Sequence, residues 1–256
     1  MKRIYCYTYG FNEIEMLPLK KKWCDFHGIT MRYFDNESTD GSKEWAIQNG
    51  VFVDDIFSNG AFDLRLILPV LNEDLIFEKP DWFCMLGVDL FIAPLNKDVR
   101  INEYLNFSTD SFYECDYVNV CYTGTEKQNG DLREFDRAAL YGQYSMAFPK
   151  YSLLVRYENG VHMAADKIHF PENYTQSNDH FWSLINFGHT KTAAERNETF
   201  KRRSLAWDRG LNKNAGGHYR TGKALSWTYP KSNTRLICNV PNLNHAHLSL
   251  MEMLYE

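Results

Sequence analysis

None of the six cysteines forms a Cys-x-x-Cys pair. That removes the usual spacing signal for a zinc knuckle or a dithiol redox centre. No run of about 18 apolar residues occurs, so no membrane span is expected. The opening "MKRIYCYTYGFNE" is too polar for a secretory signal. Internal repeats and low-complexity tracts are absent. No nucleic-acid motif is present, and the net charge of -5 argues against nucleic acid as a partner. Four Asn-x-Ser/Thr sequons start at Asn36, Asn106, Asn173 and Asn197. Without a secretory signal they read as chance matches. Together these features predict a cytoplasmic chain with reduced, structural thiols.

The length of 256 residues suits one large domain or two small ones. Charge is unevenly spread. Residues 201–256 hold nine Lys/Arg against three acids, so a basic end follows an acidic body. Such an end could face an anionic ligand as readily as solvent.

The first third has a regular order. "RIYCYTY" reads as a strand, and "NEIEMLPLKKKWCDFHG" as a helix ended by Gly28. Pro18 lies too deep for a helix beginning at Asn12, which predicts a late start or a kink. "ITMRYF" is a second strand, "KEWAIQNG" a short helix and "VFVDDIF" a third strand. A helical stretch broken or kinked near Pro69 follows, then "DWFCMLGVDLFIAP" as a fourth strand. Alternation of this kind predicts an α/β fold with a mainly parallel sheet flanked by helices. Parallel strands are covered on both faces, which explains the apolar run around Asp89. Ligands of such sheets bind beyond the carboxyl ends of the strands. Tyr9, Asp35 and Asp89 all fall at or near such ends.

The pattern weakens after Pro94. "SFYECDYVNVCYTG" reads as a strand, "GQYSMAFPKYSLLVRY" as strand, turn and short helix, and "NDHFWSLINFG" as a helix opened by Asn178 or Asp179. No strong period holds from Lys201 onward, and the segment reads as an irregular binding arm or lid.

Asn12-Glu13 after the first strand, "DNESTDGS" after the second and "GVD" after the fourth resemble the nucleotide-diphospho-sugar glycosyltransferases of GT-A fold. The likeness is greatest to glycosyltransferase family 2 and its relatives, and it covers residues 3–94. It implies a GT-A-like, Rossmann-like domain over 1–200. Residues 1–95 would form the nucleotide-binding half and 96–200 the acceptor side, with 201–256 packed on them as a basic arm. The implied activity is transfer of a sugar from a nucleotide donor, a UDP-sugar favoured, to a glycan or glycoconjugate hydroxyl in polysaccharide or glycoconjugate synthesis.

Carried over residue by residue, Asp35 would hydrogen-bond the base. Tyr9, Asn12, Glu13, Ser38, Asp40 and Gly87 would line the donor site. Asp89 would reach a cation, Mn²⁺ or Mg²⁺, that neutralises the departing diphosphate. The family's D-x-D reads Gly87-Val88-Asp89 here, and a frequent following glutamate is Leu90. His218 is the expected further metal ligand, with His245 and His247 as rivals. Arg220 and Lys223 would grip the diphosphate. Asn178-Asp179 resembles the family's Glu-Asp pair, making Asp179 the expected base of an inverting transfer. Two other functions are open at this stage. A non-catalytic sugar-nucleotide module would suit the missing acids. A sugar-nucleotide pyrophosphorylase would need a glycine-rich basic loop where "YTYGFNEIE" stands.

Overall fold

The computed structural model describes residues 1–58, 61, 64–95, 99–121, 141–144, 151–158, 160–164, 167–169, 174–175, 177, 182–187, 201–202, 205, 235–236 and 241–255. The elements of the first half are β1 (Ile4–Gly10), α1 (Leu17–Phe26), β2 (Thr30–Asp35), α2 (Ser42–Gln48), β3 (Phe52–Asp55), α3 (Leu64–Glu78) and β4 (Trp82–Gly87). Helix α1 begins late and takes Pro18 into its first turn, where a missing N–H costs nothing. It ends at Gly28, whose φ of +65 is cheap only for glycine.

Beyond Gly87 lie β5 (Leu90–Pro94), α4 (Ile101–Phe107), β6 (Phe112–Cys121), β7 (Tyr141–Tyr144) and β8 (Tyr151–Arg156). They are followed by β9 (His162–Ala164), β10 (Lys167–His169), β11 (Trp182–Asn186), β12 (Arg235–Leu236) and α5 (Pro241–Tyr255).

Strands β3, β2, β1 and β4 lie side by side in that order, all parallel. The sheet continues through β8, β6, β7 and β12, each antiparallel to its neighbour on this path. Strand β11 runs parallel to β6 and antiparallel to β5. The α/β class expected from the sequence is the one observed.

Both faces of the parallel half are covered. Ile4 and Cys6 join a core with Trp23 of α1 and Ala246, Leu250, Met251 and Leu254 of α5. Tyr7, one residue out of step on the same strand, faces the other way, into a core with Ile67, Leu71 and Leu75 of α3. Among the described residues no helix is long and apolar enough to cross a membrane.

Four expectations are corrected. The run from Trp82 to Pro94 is two strands with a turn at Val88-Asp89, not one. Tyr151–Arg156 is a strand where a short helix was expected. Trp182–Asn186 is likewise a strand, its five residues all buried between β5 and β6. The segment from Lys201 ends in α5, whose apolar stripe completes the first core.

Candidate active site

The chain order places β2 and β3 on one side of β1 and β4 on the other, so the order reverses between β1 and β4. A crevice opens at such a switch point, beyond the carboxyl ends of the two strands. Tyr9 pairs with Gly87 there, and Gly10 pairs with Asp35 of β2. Val88 N–H closes the gap by donating to the Tyr9 carbonyl at 3.3 Å.

Two loops form one wall. The Asn12 N–H donates to Ser38 Oγ at 2.9 Å, and Thr39 N–H returns a bond to Asn12 Oδ1 at 2.8 Å. Glu13 N–H donates to Ser42 Oγ at 2.8 Å, and Ile14 N–H to Asp40 Oδ2 at 3.1 Å. Asp40 Oδ1 also accepts the Ser42 N–H at 3.0 Å at the start of α2. Asn12, Ser38 and Asp40 thus spend these polar atoms holding "NE" against "DNESTDGS". The local backbone is unusual: Asn12 has φ +53 and Glu37 φ +62. Glu37 is held there by its Oε2, which accepts from Ser58 N–H at 3.0 Å and from the Ser58 hydroxyl at 2.9 Å.

Asp35 is 2% exposed. Its Oδ2 accepts the Ser38 N–H at 3.0 Å, while Oδ1 is buried with no hydrogen-bond partner. The Tyr33 hydroxyl beside it is also buried and unpartnered. Burial, and secondly the Asp35 charge, hold the Tyr33 phenol well above its ordinary range, so it is a neutral donor. Buried polar atoms without partners are rare, and these two share one rim.

Asp89 ends the other side of the crevice. Its backbone carbonyl accepts the Phe187 N–H at 2.9 Å. Its half-buried carboxylate makes no hydrogen bond or ion pair among the described residues. No group of three His, Cys, Asp or Glu side chains converges as a metal cluster among the described residues. One free carboxylate still fits a cation of the Mg²⁺ type, which takes one or two carboxylates and draws its other ligands from phosphate and water.

Arg202 is a residue that sequence reasoning counted only within the basic end. It is 4% exposed, donates to the Asn36 carbonyl at 2.8 Å, and stands 3.4 Å above the Phe11 ring centroid. It therefore brings a buried cation to the β2 rim, next to Asp35. The run Lys201-Arg202-Arg203 was its sole signal.

Structure brings Tyr9, Asn12, Glu13, Asp35, Ser38, Asp40, Gly87 and Asp89 to one end of the sheet. Asp179, His218, Arg220 and Lys223 lie outside the described residues, as do Asn178 and His180. A strand, not a helix, is the next described element after Asp179. His245 lies exposed on α5.

No protein-family model matches the sequence, and no curated protein matches it. Among solved structures, the chain is similar to glucosyl-3-phosphoglycerate synthase from Mycobacterium tuberculosis, solved with Mn²⁺, UDP and glucosyl-3-phosphoglycerate. The TM-score is 0.30 at 16% identity, over 45% of this chain and 44% of that one. S. aureus TarS is similar over 89% of this chain and 44% of its own, with a TM-score of 0.41 at 10% identity. The chain thus spans less than half the length of these matched structures.

Proposed function

We propose that the chain is a glycosyltransferase that binds a nucleoside-diphosphate sugar in the β1–β4 crevice and transfers the sugar to an acceptor hydroxyl. The observation that carries this reading is the pair of unsatisfied acids on one rim: Asp35 Oδ1, buried without a partner, and the unpaired Asp89 carboxylate. A nucleobase offers N–H donors for the first. A diphosphate-bound cation offers a partner for the second.

In this reading Asp35 Oδ1 and the Tyr33 hydroxyl orient the base, with uracil favoured. The clamped loops at Asn12-Glu13 and Ser38–Asp40 keep that pocket in shape. Asp89 holds Mn²⁺ or Mg²⁺, which neutralises charge on the departing diphosphate. His218, Arg220 and Lys223 are assigned to the metal and diphosphate. Asp179 is assigned to take the proton from the acceptor hydroxyl in an inverting displacement. The supports for these four are the sequence resemblance and the basic balance of residues 201–256. Residues 1–95 would serve the nucleotide, 96–200 the acceptor, and 201–256 would close on both. A cytoplasmic setting is supported by the free thiols of Cys6, Cys24 and Cys84.

A second reading, a sugar-nucleotide-binding module without turnover, is favoured by Gly87 standing where an acid is usual. One set of measurements separates the two. UDP with Mn²⁺ should raise the thermal midpoint more than UDP with EDTA, and UDP-sugars should be hydrolysed slowly without acceptor. Binding without turnover across a panel of sugars and acceptors would favour the module. No midpoint shift with any nucleoside diphosphate would remove both.

A further inference from the structure

Lys20 is fully buried, on the inner face of α1. No carboxylate pairs with it among the described residues. Its ammonium group stands 4.6 Å from the Trp23 ring centroid and 5.1 Å from that of Phe91. Its charge reaches the buried thiols of Cys6, Cys24 and Cys84. A buried ammonium without an acid partner is costly, and an apolar side chain of similar length generally fills such a place with less loss. What methionine could not do there is donate a hydrogen bond. Lys20 Nζ donates to the carbonyl of Leu90, the residue directly after Asp89. Three residues further along α1, Trp23 Nε1 donates to the Ile92 carbonyl at 3.0 Å. Helix α1 therefore grips β5 at alternate carbonyls.

The turn that carries Asp89 is fixed at three backbone points. Val88 N–H is bound to Tyr9, the Asp89 carbonyl accepts from Phe187, and the Leu90 carbonyl accepts from Lys20. The Asp89 carboxylate makes no hydrogen bond or ion pair among the described residues. We propose that Lys20 is a positioning residue for Asp89: its buried ammonium locks the β4–β5 turn so that the carboxylate stands ready over Gly87 for a diphosphate-bound cation. The turn-locking half stands on the contacts above, and the cation half rests on the function proposed for this crevice.

The test is Lys20→Met in the full chain. Removing an unpaired buried charge should leave the thermal midpoint unchanged or raise it. Hydrogen exchange at the Phe187 amide, followed by NMR, should accelerate at least tenfold, and UDP affinity in Mn²⁺ should fall about tenfold. Phe187 protection and UDP affinity within twofold of wild type would overturn the proposal. So would a lowered midpoint with faster exchange throughout the sheet, since Lys20 would then be a general core residue. Should the variant not fold, the wild-type protein still decides. Its lysine ¹⁵Nζ spectrum should show one slowly exchanging ammonium at neutral pH that moves on addition of UDP with Mg²⁺, and the absence of such a signal overturns the lock. Faster Phe187 exchange in the variant, with no UDP binding by either protein, supports the lock and overturns the donor-site reading instead.

Discussion

Asp89 Oδ1 lies 2.7 Å from the point a Cβ on Gly87 would occupy. The carboxylate folds back over the bare backbone of the residue where the resemblance expects another acid. Glycine at 87 is thus the condition for this placement of Asp89. The obstructing atom is the end of a rotatable side chain, so a side chain at 87 would swing the carboxylate away rather than break the strand. Gly87→Ala should keep the thermal midpoint near wild type and weaken Mn²⁺-dependent UDP binding about tenfold, or about 1.4 kcal/mol. Titration calorimetry with and without EDTA checks this; unchanged affinity would separate Asp89 from the metal.

Asp89→Asn removes charge from a group with no bonded partner, so stability should change by no more than about 0.5 kcal/mol. Metal-dependent donor binding and turnover should fall at least tenfold. A large loss of stability in urea unfolding, with binding intact, would make Asp89 a structural acid.

Gly10 is tightly enclosed. A Cβ there would meet Val88 Cγ2 at 2.8 Å, Glu13 Cγ at 2.9 Å and Tyr33 Oη at 3.2 Å. Gly10→Ala should cost about 1–3 kcal/mol of stability through overpacking, read from urea midpoints.

Arg202→Met deletes the hydrogen bond to the Asn36 carbonyl and the charge over Phe11. Loss of a buried hydrogen bond and a cation–π contact should together cost about 1–3 kcal/mol. Stability equal to wild type in chemical denaturation would mean that the segment bearing Arg202 does not hold the β2 rim.

His27 gives a pH signature. Its Nδ1 accepts the Ile101 N–H at 3.2 Å. Burial, and secondly the Arg100 charge, hold its pKa down to about 3 from the ordinary 6.5. In that window the unfolded chain binds more protons than the folded one. Stability from this group is therefore full above the unfolded pKa and falls as pH drops through the window, by about 1.4 kcal/mol per pH unit. Urea unfolding at pH 7 and pH 5 should show a larger loss for wild type than for His27→Gln. Equal losses would mean that His27 is protonated in the folded protein.

The parallel half was legible because each of its strands is bounded by turn residues and joined by a helix of recognisable period. The break at Val88-Asp89 was not, since the apolar run passes through it and only the pairing of Leu90 with Asn186 reveals a second strand. "WSLIN" looked helical because so short a run, with Ser183 and Asn186 among its apolar residues, has no period to read. Both of its faces are covered, which is what a strand between β5 and β6 requires. In α5 the apolar positions do recur at helical spacing, but an unpatterned stretch precedes them and masked the signal. Asp35 and Asp89 could be placed at strand ends from sequence. Their missing partners could not, because an unsatisfied oxygen is a property of the packed surroundings. Arg202 and Lys20 went unrecognised for the same reason: a buried cation has the same letter as a solvated one.

Helix α5 lies against α1 and β5, and Lys22 Nζ donates to the Leu254 carbonyl at 3.3 Å. The helix synthesised after every other described element thus covers one of the earliest. On the ribosome, α1 and β5 emerge with their apolar faces open and stay so until Ala246, Leu250 and Leu254 have left the tunnel. The half built from β1 to β5 cannot mature ahead of α5, and a stalled nascent chain would expose the surface that chaperones bind.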